Sequence, residues 1–170
     1  ILTHIIHPFD HDRAYEMVTS QIEQGHQAFI VYPLIESDDD VNNQAAVNEH
    51  AKLSRKIFPK YKIGLIHGRL KQPQKEKIML DFKERKLDIL VSTTVIEVGL
   101  DIPNATIVLI EGANKFGLAQ LHQIRGRVGR SEHQSYCILI PDNESNSENE
   151  RLSIMSSTTD GFKLAEFDLK

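Results

Sequence analysis

Two threonines, an aspartate and a run of glycine-spaced arginines hold most of the chemistry in this sequence. Thr93 and Thr94 directly follow the apolar run Asp88-Ile-Leu-Val91, inside Ser92-Thr-Thr-Val-Ile-Glu-Val-Gly-Leu-Asp-Ile-Pro-Asn104, where Gly99 precedes Asp101 by two positions. A second apolar run, Thr106-Ile-Val-Leu-Ile110, leads on to Gln120-Leu-His-Gln-Ile-Arg-Gly-Arg-Val-Gly-Arg130. Threonine hydroxyls bond phosphate oxygens without reading bases. Arginine stays charged and presents a planar fork of donors, which suits phosphate oxygens and charge developing on a transferred phosphoryl group. Gly126 and Gly129, between Arg125, Arg127 and Arg130, let backbone and partner approach closely. A solvated basic turn at a helix end accounts for any single one of these arginines equally well. A Ser-Thr-Thr run alone is explained by local backbone capping. It is the combination of threonines, Gly-x-Asp and spaced arginines that points to a phosphate-bearing ligand.

The elements that must position these residues read as an α/β fold. Each apolar run is short, β-branched and bounded by loop signals, as in strands buried on both faces. Strands are expected at 2–6, 27–32, 62–66, 88–91, 106–110 and 135–140, with Pro33 ending the second. Asp10 caps a helix over 11–24 with Ala14, Met17, Val18 and Ile22 inward and Gly25 as its stop. Further helices are expected over 44–57, from Pro73 to Glu84 with Ile78, Met79 and Phe82 inward, and over 118–125. The alternation of strand and helix requires a mostly parallel sheet with helices on both faces. Ligands of such sheets bind beyond the carboxyl ends of the strands, which is where the arginines and threonines are expected. A polar connector after Pro141 leads to helices over 150–157 and 162–169.

Composition narrows the class. A chain of 170 residues with 40% hydrophobic and 26% charged residues fits a soluble domain with a full core, and neither a membrane span nor a secretory signal is visible. The single cysteine, Cys137, in an apolar run, is read as a small core residue of a protein kept in a reducing cytoplasm. Net charge is −4, so nothing attracts nucleic acid globally. The distribution is uneven, though: residues 52–86 hold twelve Lys or Arg against three acids, whereas 1–51 hold nine acids and only Arg13. Most of those lysines are read as solvating a helix exterior, with residues nearest the strand ends as phosphate contacts. Glu36-Ser-Asp-Asp-Asp40 lacks the alternation of a calcium loop and is read as solvated. The eight histidines are scattered without ligand spacing, so no metal site is expected. His67-Gly68-Arg69 follows the third strand; it is either a tight turn with a surface arginine or a glycine amide and arginine offered to a nucleic-acid backbone.

Gln123-Ile-Arg-Gly-Arg-Val-Gly-Arg130 resembles motif VI of superfamily 2 helicases, and Val91-Ser-Thr-Thr-Val-Ile-Glu-Val-Gly-Leu-Asp101 resembles motif V. Phe29-Ile-Val-Tyr-Pro-Leu-Ile-Glu36, Ile66-His-Gly-Arg-Leu70, Phe116-Gly-Leu-Ala-Gln-Leu-His-Gln123 and Ser135-Tyr-Cys-Ile-Leu-Ile140 extend the likeness across nearly the whole chain. Together they resemble the second RecA-like domain of the RecG family, bacterial ATP-dependent DNA helicases that remodel branched DNA.

The resemblance implies a RecA-like domain over 1–145 and the start of a helical translocation element over 146–170. Asp101 is then expected to hold the ATP ribose, with Gly99 letting the nucleotide lie against the backbone. Arg127 and Arg130 are expected as arginine fingers, with Gln123 positioning water or the fingers. Thr93, Thr94, Gly68 and Arg69 are expected to grip one DNA strand. No Gly-x-x-x-x-Gly-Lys-[Ser/Thr] phosphate loop and no Asp-Glu-x-His-type magnesium site occurs in the sequence. ATP and Mg²⁺ are therefore expected to be bound mainly by a preceding motor domain. The chain reads as an excised, monomeric fragment of a nucleoid-associated cytoplasmic enzyme, inactive alone. The competing readings are the motor of a transcription-repair coupling translocase and a non-catalytic binding module of the same fold.

Overall fold

The computed structural model describes residues 1–33, 39–93, 102–129, 131–142 and 152–156, with side chains of 39–43 left aside. Its strands are β1 (Leu2–Ile5), β2 (Gln27–Val31), β3 (Ile63–Ile66), β4 (Ile89–Ser92), β5 (Ala105–Glu111) and β6 (Tyr136–Ile140). They form a six-stranded sheet in the order β1-β6-β5-β2-β4-β3, and every pairing is parallel. The helices are α1 (His11–Glu23), α2 (Asp39–Lys52), α3 (Gln72–Lys83) and α4 (Leu118–Arg125), with one further turn at 152–156.

Alternate residues of each central strand face opposite layers. Ala28, Ile30, Ile89, Val91, Ile107, Leu109, Ile138 and Ile140 pack with Ala14, Val18 and Ile22 of α1 and with Leu53 and Phe58 beyond α2. Phe29, Val31, Leu90, Val108, Ile110, Cys137 and Leu139 pack with Met79 and Phe82 of α3, Leu118, Leu121 and Ile124 of α4, and Leu152 and Met155. Burial on both faces explains why these strands are continuously apolar rather than alternating. Cys137 is fully buried, and burial pushes its thiol up to about 12, so it is a core residue.

Several local expectations are corrected. Asp10 does not cap α1 through its side chain; it closes a 3-10 turn, Pro8–Asp10, in which His7 Nδ1 accepts from the Phe9 amide at 3.1 Å. The second helix starts at Asp39 rather than near residue 44. It ends in a π-helical turn, Leu53–Ile57, that lodges Leu53 in the core. The helix expected over 162–169 and most of the 146–170 segment lie outside the described residues.

Leu109 is fully buried in the central strand β5. Replacing it with alanine is expected to cost about 2–5 kcal/mol of stability, read from a lowered denaturant midpoint at unchanged slope.

Candidate functional site

Because all strands are parallel, every strand exit lies on one edge of the sheet and every entry on the other. The candidate residues divide between these two edges. At the carboxyl edge, Thr93 follows β4, and its amide donates to Ile66 O of β3 at 3.4 Å. This sets Thr93 beside the turn His67-Gly68-Arg69, in which the Leu70 amide donates to His67 O at 3.2 Å and the Arg69 amide to His67 Nδ1, also at 3.2 Å. Gly68 and Arg69 are exposed. His67 is drawn below its ordinary pKa by burial and by the cations Arg69 and Lys75, so that part of the edge is electropositive. Thr93 is not the open hydroxyl that the sequence suggests: it is only 4% exposed, and among the described residues its Oγ1 has no hydrogen-bond partner. An unpaired buried hydroxyl is costly, and such groups commonly mark a functional position.

The arginine segment lies elsewhere. Helix α4 leaves the carboxyl edge after β5 and descends across the sheet to the amino edge. Gly126 ends it, donating to His122 O at 3.1 Å, and the Arg127 and Val128 amides continue the turn onto Ile124 O and Arg125 O. Gly129 then reverses the chain with φ +80° and donates to Ser135 Oγ at 3.0 Å, just before β6. A Cβ at Gly129 would stand 2.7 Å from Ile1 Cγ1, so no larger residue closes this turn without displacing the start of the chain. The expectation that the arginine segment stands beyond the carboxyl ends is therefore corrected for its described residues: Arg127 and Gly129 occupy the opposite edge. Gln123 is exposed and Arg127 half-buried, four residues apart across the last turn of α4.

Ile102, which follows Asp101, also stands at the amino edge, before β5. Its neighbour Asn104 donates from Nδ2 to Gly25 O at 3.1 Å and to Gln27 Oε1 at 3.0 Å. Gln27 in turn donates to the carbonyls of Phe82 at 2.6 Å and Leu87 at 2.7 Å. Gln21 Oε1 accepts from Thr106 Oγ1 at 2.6 Å. Buried amides thus fix the entry of β5 on the edge that carries Arg127. Thr94, Gly99, Asp101 and Arg130 lie outside the described residues.

Arg125 parts company with the other arginines. It is 5% exposed, and its Nη1 donates to Thr3 Oγ1 of β1 at 3.2 Å and to the Met155 carbonyl, while Nη2 meets His122 Nδ1 at 3.3 Å. It is an internal strut joining α4, β1 and the turn at 152–156, not a phosphate contact. Arg125→Ala strands the buried Met155 carbonyl, at a cost of about 1–3 kcal/mol, and removes the bond to the half-buried Thr3 hydroxyl. Thermal unfolding is expected to fall by several degrees for Arg125→Ala and to stay near wild type for Arg127→Ala; equal losses would refute the division of roles.

A second polar cluster was not legible in the sequence. Glu111 ends β5, and both of its oxygens lie 2.9 Å from His11 Nε2 on α1. The Tyr32 hydroxyl, just past β2, donates to Glu49 Oε2 of α2 at 3.4 Å. Burial alone would lower the His11 pKa, but its bonds to Glu111 and the Pro8 carbonyl and the Glu111 charge leave it raised. Glu111 is raised by burial, only partly offset by His11. The one available signal was an acid closing a wholly apolar strand; nothing in the sequence joined it to a histidine a hundred residues earlier.

Metal ligands do not converge: among the described residues no three His, Cys, Asp or Glu side chains could hold an ion, so they give magnesium no site. Nor is any described helix long and apolar enough to cross a membrane.

Comparison with known proteins agrees with this geometry. Residues 12–132 match the family described as the helicase conserved C-terminal domain. The chain is 49% identical over its full length to the ATP-dependent DNA helicase RecG of Synechocystis, and 52% identical over 94% of its length to that of Thermotoga maritima, spanning about a fifth (20%) of each relative. A solved structure of RecG bound to a three-way DNA junction superposes over the whole chain, and 22% of its own, with a TM-score of 0.85 at 46% identity. The Mycobacterium smegmatis helicase Lhr shares the fold at a TM-score of 0.65 and 17% identity. With its six parallel strands, its glycine-reversed arginine turn and this match, the chain belongs to the helicase conserved C-terminal domain family.

Proposed function

We propose that this chain is the second motor domain of a RecG-type, ATP-dependent DNA helicase that remodels branched DNA, and that it works only beside a preceding motor domain of the same protein. The reading rests chiefly on one observation: Arg127 and Ile102, the neighbour of Asp101, share the amino edge, while Thr93 and the Gly68-Arg69 turn share the carboxyl edge. Nucleotide chemistry and strand grip then sit on opposite sides of one rigid sheet.

Arg127 and Arg130 reach from the turn after α4 toward the terminal phosphate held by the neighbouring domain, as cationic donors to the charge that develops on the transferred group. Gln123, exposed one turn earlier, orients the attacking water or the arginine beside it. Asp101 accepts the ribose hydroxyls, and Gly99 allows the nucleotide against the backbone. In this reading magnesium is held mainly by the neighbouring domain. At the other edge, the Gly68 amide and Arg69 meet phosphates of one DNA strand, and Thr93 and Thr94 supply hydroxyls once that strand is seated. Such contacts ignore base sequence, as a translocating motor requires. ATP hydrolysis supplies the energy for alternate closing and opening of the interdomain cleft. The close match to RecG proteins favours the branched-DNA reading over a coupling translocase; a cytoplasmic, monomeric protein is part of the same proposal.

In the full-length protein, Arg127→Ala and Arg130→Ala are each expected to keep DNA binding and to lower ATP turnover by about a thousandfold or more. Near-normal turnover would remove the finger assignment. Arg69→Ala is expected to weaken single-strand binding and to reduce the slope of log affinity against log salt by about 0.7, as one lost phosphate contact does. An unchanged slope would take Arg69 off the strand.

A further inference from the structure

We propose that His11 is a positioning residue for the DNA-facing edge, acting as an imidazolium that fastens Glu111 in the crevice between the exits of β2 and β5. The role rests on the reading above that the carboxyl edge grips DNA. It is otherwise argued from the protonation that the geometry demands.

The crevice has a special place in the topology. From β2 the chain moves toward β4 and β3, and from β5 it moves toward β6 and β1, so the two adjacent exits form the switch point of the sheet. In this protein side chains fill that crevice. Glu111 enters from β5, Tyr32 from the end of β2, His11 and Tyr15 from α1, and Glu49 and Lys52 from α2. Glu111 is largely buried, with 15% of its side chain exposed.

Both ring nitrogens of His11 face acceptors. Nδ1 meets the Pro8 carbonyl, and Nε2 meets the two Glu111 oxygens at 2.9 Å each. A neutral imidazole has one N–H and must turn a lone pair on one of these oxygens. With Glu111 ionised, only the doubly protonated ring satisfies both contacts. The groups around it set the balance: Glu111 favours the proton, Lys52 opposes it, and Glu49 acts on Glu111 rather than on His11. Tyr15 and Tyr32 are both held protonated, pushed up by burial and by the Glu111 and Glu49 charges, and therefore cannot neutralise the pair. Loss of the His11 proton leaves the Glu49 and Glu111 carboxylates opposed in the crevice, with Lys52 the cation acting on the pair among the described residues.

The consequence runs along the edge. The Tyr32 amide donates to Ser92 O at 2.9 Å, holding the exit of β2 against that of β4. The Thr93 amide donates to Ile66 O, holding β4 against β3 and the His67-Gly68-Arg69 turn. Glu111, Tyr32, Ser92, Thr93 and Ile66 thus follow one another across four adjacent strands. With the fastening intact, Tyr32 and the exits beside it stay in register. Once it is released, repulsion between Glu49 and Glu111 acts on Tyr32, whose hydroxyl donates to Glu49 and which feels both charges.

The sign follows directly. Because the folded-state pKa of His11 is raised, the fastening is complete below the ordinary histidine value of about 6.5 and is lost as pH rises through the higher folded value. The test is the DNA concentration that half-saturates ATPase stimulation in the full-length protein, followed from mildly acidic to alkaline pH, with turnover at saturating DNA recorded alongside. For wild type this concentration is expected to rise several-fold across the histidine range. His11→Arg, which keeps a charge and a bidentate fork at every pH, and Glu111→Gln, which needs no counter-charge, should both flatten the profile. His11→Gln should give the weak, alkaline-type value at all pH. A wild-type profile that coincides with that of His11→Arg would overturn the proposal, as would a His11→Gln profile that still rises like wild type. Arg69→Ala separates the two readings: if it raises the half-saturating concentration while His11→Arg and wild type coincide, the strand grip stands and the His11 role falls. If Arg69→Ala changes nothing, the grip reading itself fails.

Discussion

All strands run the same way, and that single constraint sorts the chemistry of the domain. A parallel strand buried on both faces has no room for polar side chains along its length, so reactive groups collect where the strands begin and end. Every exit then lies on one edge and every entry on the other. Thr93, Gly68 and Arg69 fall on the exit edge, while Arg127, Gly129 and the lead-in to β5 fall on the entry edge. Residues 94–101 join Thr93 on one edge to Ile102 on the other. A displacement at one edge therefore has a covalent route to the other, over and above the stiffness of the sheet.

The two edges are held by different chemistry. At the entry edge the linking groups are neutral amides and hydroxyls: Gln21 with Thr106, Gln27 with the carbonyls of Phe82 and Leu87, Asn104 with Gly25 and Gln27. These amides and hydroxyls do not titrate near neutrality; a titratable group joins them at His26, whose Nδ1 lies 3.1 Å from Gln21 Oε1 and whose pKa is lowered by burial and by the charges of His133 and Arg85. At the exit edge the corresponding groups are His11, Glu111, Glu49 and two tyrosines, whose arrangement depends on one proton. Neutral hydrogen bonds contribute about 0.5–1.5 kcal/mol each and charge-assisted ones more. The exit edge is accordingly the stronger of the two when protonated and the weaker when not.

The sequence made the strands, their order along the chain and the parallel class legible, because burial on both faces leaves an apolar signature that few other environments produce. Helix ends were harder. The start of α2 at Asp39 is masked in sequence by three aspartates that read equally well as a loop, and Asp10 offers a capping side chain that the 3-10 turn before α1 makes unnecessary. The choice of edge was not legible at all. Where α4 delivers its arginines depends on its eight-residue length and its descent across the sheet, which spacing within the motif does not encode. Nor could pattern separate Arg125 from its neighbours, since burial by Thr3 and Met155 comes from residues far away in sequence.

Arg125 and Arg127 make the general point. They are chemically identical and two residues apart, with a glycine between them that ends the helix. Before Gly126 the helical geometry turns the side chain inward against β1; after it, the turn carries the next arginine around the sheet edge. The inward guanidinium gives its donors to fixed acceptors and so rigidifies the platform. In the role proposed for Arg127 that rigidity matters, because a charge stabilises a transition state only when it need not reorganise to reach it. A lysine in place of Arg125 could not span a hydroxyl and a carbonyl from one planar group. The buried arginine thus supports the turn that carries Arg127, and the glycine between them is the device that gives one residue type two different settings.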